Sequence, residues 1–175
     1  MREFEARQTA ITGLQKVRRL GGSIVDDIPP GSLAEILDDV RQGQPYEHAL
    51  ARFLVEFHTD PDPESRRRRI EDEPDIAPNP VLNALLGAAG EHLAQRWHLG
   101  EAPAWTSRPE RYLSRPYFTT VSVPKSQIFQ ESPSAFRRRR IYTIAEPLCC
   151  SDSNLSLWTF DYVEADPEMT MQPRF

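Results

Sequence analysis

The chain has 175 residues, a net charge of −5, 39% hydrophobic residues and 16 prolines. That length accommodates one domain, or one domain with a small appendage and tails, and the composition implies a modest core joined by extended connections. Three Trp, eight Phe and five Tyr supply enough anchors to exclude wholesale disorder.

In the first 58 residues the pattern is helical. Phe4, Ile11, Leu14 and Val17 fall on one face, and Gly21-Gly22 ends the pattern. Ser32 and Glu35 have capping-box spacing and open a short helix carrying Leu33, Ile36, Leu37 and Val40, closed near Gly43. Pro45 starts a further helix, with Tyr46, Leu50, Phe53, Leu54 and Phe57 as its apolar stripe.

Residues 59–78 break this pattern. Four prolines, a preponderance of acids and the run Arg66-Arg67-Arg68-Arg69 leave almost nothing to bury, so a flexible charged linker is expected here. Asn79-Pro80 then reads as an N-cap followed by proline at the first helical position. The next stretch, with Leu82, Leu85, Leu86, Ala89, Leu93 and Trp97, is expected to be the central core helix, stopped by Gly100. Ser107 and Glu110 repeat the capping-box spacing ahead of Tyr112-Leu113. Residues 118–123 are β-like but end at Pro124, which suits a short edge strand.

The segment Glu131-Ser132-Pro133-Ser134-Ala135-Phe136-Arg137-Arg138-Arg139-Arg140-Ile141-Tyr142-Thr143 joins a helix start, a core-type aromatic, four arginines and the opening of a strand. Ser132 is expected to cap this helix and Phe136 to anchor it. Residues 141–148 and 155–163 read as strands, the second with Trp158, Phe160 and Tyr162 alternating, and residues 164–175 as a tail. The fold class expected is mainly α with a few short strands, α+β being the alternative. The units expected are 1–58 (helical), 59–78 (linker), 79–163 (motif-bearing core) and 164–175 (tail).

Chemistry is sparse. His48, His58, His92 and His98 show no zinc-helix pairing, and the adjacent Cys149 and Cys150 have neither metal-site spacing nor a loop to close. No glycine-rich phosphate loop or nucleophile elbow occurs, so no catalytic, metal or cofactor residue is assigned. No apolar run approaches membrane-spanning length, and Met1-Arg2-Glu3 leads into no signal-like segment; a reducing cytoplasm is the expected setting. Charge is uneven. Residues 81–148 hold nine Lys/Arg and five Asp/Glu, whereas residues 149–175 hold one Arg and five acids. Arg137 to Arg140 therefore suit three roles: a solvated helix end, contact with an acidic groove of a protein partner, or phosphate contact. The acidic total and the missing helix-turn-helix argue against DNA, and the absence of aromatics interleaved with the run argues against RNA.

The phrases Asn-Pro-Val-Leu-Asn-Ala-Leu-Leu, Ala-Pro-Ala-Trp-Thr, Tyr-Leu-Ser-Arg-Pro-Tyr-Phe and Glu-Ser-Pro-Ser-Ala-Phe-Arg-Arg-Arg-Arg-Ile-Tyr follow one another between Asn79 and Tyr142. In that order the segment resembles an antitoxin-like bacterial family encoded beside minimal nucleotidyltransferase-type toxins. Trp105, Phe118, Glu131, Ser132, Pro133, Phe136, Arg137 and Arg139 match its recurrent motif, while the helical front and acidic tail depart from it. The resemblance implies a non-enzymatic protein that occludes a cognate toxin, needs no cofactor and transfers no catalytic residue. Arg137, Arg138, Arg139 and Arg140, or the acids Asp161, Glu164, Asp166 and Glu168, would then meet the partner. A DNA-binding autoregulator, and an enzyme whose site assembles only in three dimensions around residues such as His48, His58 and His92, are the alternatives.

Overall fold

Helix α1 (Leu33–Arg41) starts at the expected capping box: the Glu35 N–H donates to Ser32 Oγ (3.4 Å), and the Glu35 carboxylate accepts from the Gly31 N–H (2.7 Å). The chain reverses at Gly43, whose φ of 94° lies in the left-handed region that glycine enters without steric penalty. Pro45 then opens α2 (Tyr46–Thr59), which buries Tyr46, Leu50, Phe53, Leu54 and Phe57, the stripe read from the sequence. The computed structural model describes residues 29–119 and 123–149, so the expected helix around Phe4 to Val17, the strand at 155–163 and the tail lie outside the described residues.

The expected flexible linker is instead a docked helix, α3 (Pro63–Glu71). Asp62 caps it by accepting from the Glu64 and Ser65 N–H groups, with Pro63 at its first position. Ile70, its one apolar residue, is fully buried. What the segment lacks in apolar surface it makes up in charged hydrogen bonds. Arg66 donates to the Phe57 and His58 carbonyls (3.0 and 3.1 Å), two of the acceptors left open at the C-terminus of α2. Its guanidinium also sits 3.8 Å from the centre of the Trp97 ring. Arg67 donates to Glu71 and to the Leu99 and Glu101 carbonyls, and Arg69 donates to Asp60 and to the Gly31 carbonyl. The Ser65 hydroxyl, the Asp62 N–H and Arg69 together hold the Asp60 carboxyl below its usual range. The following stretch is tied down as well: Asn83 exchanges two 2.8 Å hydrogen bonds with the Ala77 backbone.

Asn79 caps α4 (Pro80–Arg96), and from Leu82 to Leu93 only His92 on this helix is less than buried. A helix buried all round is the centre of the fold rather than an amphipathic face on its edge. Around it lie α3, two 3-10 turns (Ala104–Ser107 and Pro109–Arg111) and α6 (Ser134–Arg137). The expected capped helix at Ser107 is absent because Arg108 precedes Pro109: its backbone is extended (ψ 147°), so the two turns stay separate. Leu33, Phe53, Phe57, Ile70, Leu86, Trp105 and Phe136 belong to one continuous apolar cluster. Among the described residues, the expected division into front unit, linker and core therefore follows no break in packing.

Two strands, β1 (Tyr117–Phe118) and β2 (Ile141–Tyr142), pair in parallel, with Tyr117 opposite Ile141 and Phe118 opposite Tyr142. Between them run α5 (Lys125–Glu131), which the sequence pattern did not announce, and α6. The strand expected over 141–148 stops after two residues. Thr143 gives its N–H to Ser132 Oγ (2.8 Å), and its carbonyl lies 2.9 Å from the same hydroxyl, so a side chain takes the place of a neighbouring strand. This also corrects the role of Ser132, which fastens β2 and leaves α6 without a side-chain cap. The described residues are thus mainly helical with one small parallel pair, and no helix among them is long and apolar enough to cross a membrane.

Candidate functional site

The four arginines of residues 137–140 straddle the end of α6, so they do not spray around a helix axis. Arg137 is the last helical residue, Arg138 follows it, and Arg140 adopts φ 62°. This sharp turn sends the four side chains to different fates. Arg139 is fully buried. Its guanidinium donates to Glu91 Oε2 (2.6 Å), to the Ala135 carbonyl (2.6 Å) and to the Thr106 carbonyl (2.5 Å), and it faces the Tyr112 ring at 5.0 Å. Arg138 donates to Glu91 Oε1 (2.6 Å) with its side chain 51% exposed. Its hydrogen bond with Tyr112, and then Glu91, hold its pKa above the ordinary value. Arg140 donates to the Ser114 carbonyl from an exposed position, and Arg137 is exposed.

Glu91 organises this arrangement. It is the one acid in α4, lies almost completely buried, and accepts from Gln95 as well as from both arginines. A second buried guanidinium, Arg111, lies on the same side of α4. It donates to the Pro74 carbonyl, stands 3.8 Å from Glu73 and faces Trp105 at 5.1 Å. Burial lowers its pKa from the ordinary value; Glu73 opposes that shift, and Arg108 and Arg139 add to it. Glycine makes the close approach possible. A Cβ on Gly87 would lie 2.8 Å from Arg111 Cβ and 3.0 Å from Arg139 Nε, and one on Gly90 would lie 3.0 Å from the Trp105 ring.

The residues singled out from the sequence thus separate. Arg139 is a correction: a fully buried side chain bound to Glu91 offers no surface to a partner. Arg137, Arg138 and Arg140 remain at the surface, while Asp161, Glu164, Asp166 and Glu168 lie outside the described residues. Of the motif positions, Trp105, Ser132 and Phe136 are buried, and Trp105 donates its indole N–H to the Ile70 carbonyl (3.2 Å). They build the platform. The sequence reading passed over Glu91, although a lone carboxylate in a run of Leu, Ala and Gly is a visible signal for a buried charge partner. Arg111 carries no such signal at the level of spacing, and Tyr112, expected only as an apolar position after the capping box, turns out to face Arg139.

The three histidines named for an assembled catalytic site contact different neighbours. His58 Nε2 lies 2.9 Å from the Leu148 carbonyl, His92 packs edge-on against Phe136, and His48 is exposed about three turns before His58 on α2. Among the described residues no three His, Cys, Asp or Glu side chains are grouped so that they could hold a metal. No family model, curated protein or solved structure matches the chain.

Proposed function

We propose that this is a non-enzymatic binding protein whose exposed arginines Arg137, Arg138 and Arg140 engage an acidic protein partner. The observation that supports the reading is the clamp beneath them. Arg139 and Glu91 fix the turn from inside the fold, and Glu91 and the Ser114 carbonyl hold the Arg138 and Arg140 guanidiniums before binding, so less side-chain entropy is lost on contact. Charge at such a rim contributes mainly association rate and partner choice. The resemblance of residues 79–142 adds the class of partner, a nucleotidyltransferase-type toxin occluded by complex formation in a bacterial cytoplasm.

The test is calorimetric titration of the chain with the protein encoded beside it. Arg137→Glu combined with Arg140→Glu is expected to weaken the complex at least about tenfold, with thermal melting checking that the double variant, which loses the Arg140–Ser114 hydrogen bond, stays folded. Equal affinity for wild type and double variant rules out the basic face as the contact. Arg139 is left intact in this test, because its replacement would act through stability.

A further inference from the structure

The outer face of the β1–β2 pair carries a cluster of rings that sequence spacing does not suggest. Phe118 and Tyr142 are register partners and stack at 5.2 Å with 25° between their planes. Phe129, from α5, stands edge-on to both, at 5.5 Å from Phe118 and 4.3 Å from Tyr142. Ile141, one residue away on the opposite face, is fully buried in the core. Phe129 is 44% exposed, one of three large apolar side chains so exposed among the described residues. Cationic side chains lie on the segments that carry the rings. Lys125 Nζ lies 5.0 Å from the Phe118 ring centre, and the Arg140 guanidinium donates to the Ser114 carbonyl, three residues before Tyr117. The segments 114–119, 123–132 and 137–143 expose five cationic side chains (Arg115, Lys125, Arg137, Arg138 and Arg140) and a single acid, Glu131.

We infer that this face binds single-stranded nucleic acid, with a base on the exposed part of the Phe129 ring and phosphates met by Lys125 and Arg140. Aromatic rings accept any base through its π-face, and a cationic surround follows the backbone; together these make a sequence-tolerant single-strand site. A duplex keeps its base faces stacked inside and leaves the ring no base to stack on along its length. The proposal goes beyond the acidic-partner reading and does not depend on it, since its distinguishing residue is Phe129 rather than an arginine.

The test is fluorescence anisotropy of the full chain with labelled 12-nucleotide oligo(dT) and oligo(U), and with an oligo(dT)·oligo(dA) duplex, at about 50 mM salt, where phosphate contacts are strong. Either or both single strands are expected to bind more tightly than the duplex, the pair of strands showing whether the sugar matters. Phe129→Leu, which keeps apolar bulk but removes the π-face, is expected to weaken binding at least about fivefold. Phe129→Trp is expected to retain it, and thermal melting of both variants checks that the fold is intact. Failure of both single strands to bind overturns the proposal. So does equal affinity for the duplex, or a correctly folded Phe129→Leu protein that binds like wild type. Loss of acidic-partner binding in Arg137→Glu, Arg140→Glu with oligonucleotides unbound would leave the partner reading standing and this one refuted.

Discussion

Residues 66–69 and 137–140 are the same tetrapeptide, four arginines in a row, placed in two settings. The first run lies within the continuous helix α3, where successive side chains turn by about 100° and reach in every direction. Three of its arginines find carbonyls or carboxylates of neighbouring segments, and Arg68 alone points away, 72% exposed and 3.8 Å from Asp62. The second run straddles a helix end and a left-handed residue, so one arginine drops into the core and the others stay at the rim. Identical sequence thus yields a staple in one place and a clamped rim in the other. The difference lies in which acceptors the backbone leaves within reach: open carbonyls at the end of α2 for Arg66, a buried carboxylate on α4 for Arg139.

That contrast can be broken experimentally, beginning where the effect is largest. Arg139→Ala removes one side of a buried ion pair and leaves Glu91 with Arg138 and Gln95, so it is expected to lower unfolding stability by about 3–5 kcal/mol. Urea denaturation measures this, and a loss below about 1 kcal/mol would mean that Arg139 belongs to the surface after all. Arg66→Ala in the first run opens two helix-end carbonyls and removes the contact with Trp97. A loss of about 1–3 kcal/mol is expected from these charged hydrogen bonds and the cation–π contact. The Trp97 fluorescence should shift as well, and an unchanged protein would return residues 59–78 to the status of a linker.

His92 gives a smaller, pH-dependent reading of the second platform. Partial burial against α6 lowers its pKa from the ordinary 6.5; Glu146 and Glu91 oppose that shift and Arg96 adds to it. The unfolded chain therefore takes up the proton first as the pH falls. Stability carried by neutral His92 is fully present above pH 6.5 and declines from there down to the folded-state value, below which its loss is complete. Melting curves of wild type and His92→Gln should accordingly diverge as the pH falls through 6.5, wild type falling faster. Parallel curves would place His92 in solvent. The smallest effects belong to the outward members of each run: Arg68→Ala and Arg137→Ala should each change stability by no more than about 0.5 kcal/mol. If only Arg137→Ala then alters partner binding, the two runs differ in function as well as in packing.

The capping box at Ser32, the turn at Gly43, the stripe from Tyr46 to Phe57 and the N-cap at Asn79 were all legible along the chain, because each depends on groups within about four residues of one another. The same local logic misled at Ser132, whose hydroxyl is taken by Thr143, eleven residues on. It misled at residues 59–78 too, where few apolar residues were read as disorder although charged groups had distant carbonyls to meet.

By itself, the sequence determined that the described protein is mainly helical, where α1, α2 and α4 begin, and that Phe136 is a core anchor. Tertiary structure alone decided which arginines face water, for Arg139 meets Glu91 across 48 residues and Arg67 meets the Leu99 carbonyl across 32. It also decided that Phe118, Phe129 and Tyr142 share one face. The physical reason is that helix periodicity and capping are short-range, whereas the fate of a charge depends on the partner that the fold brings to it.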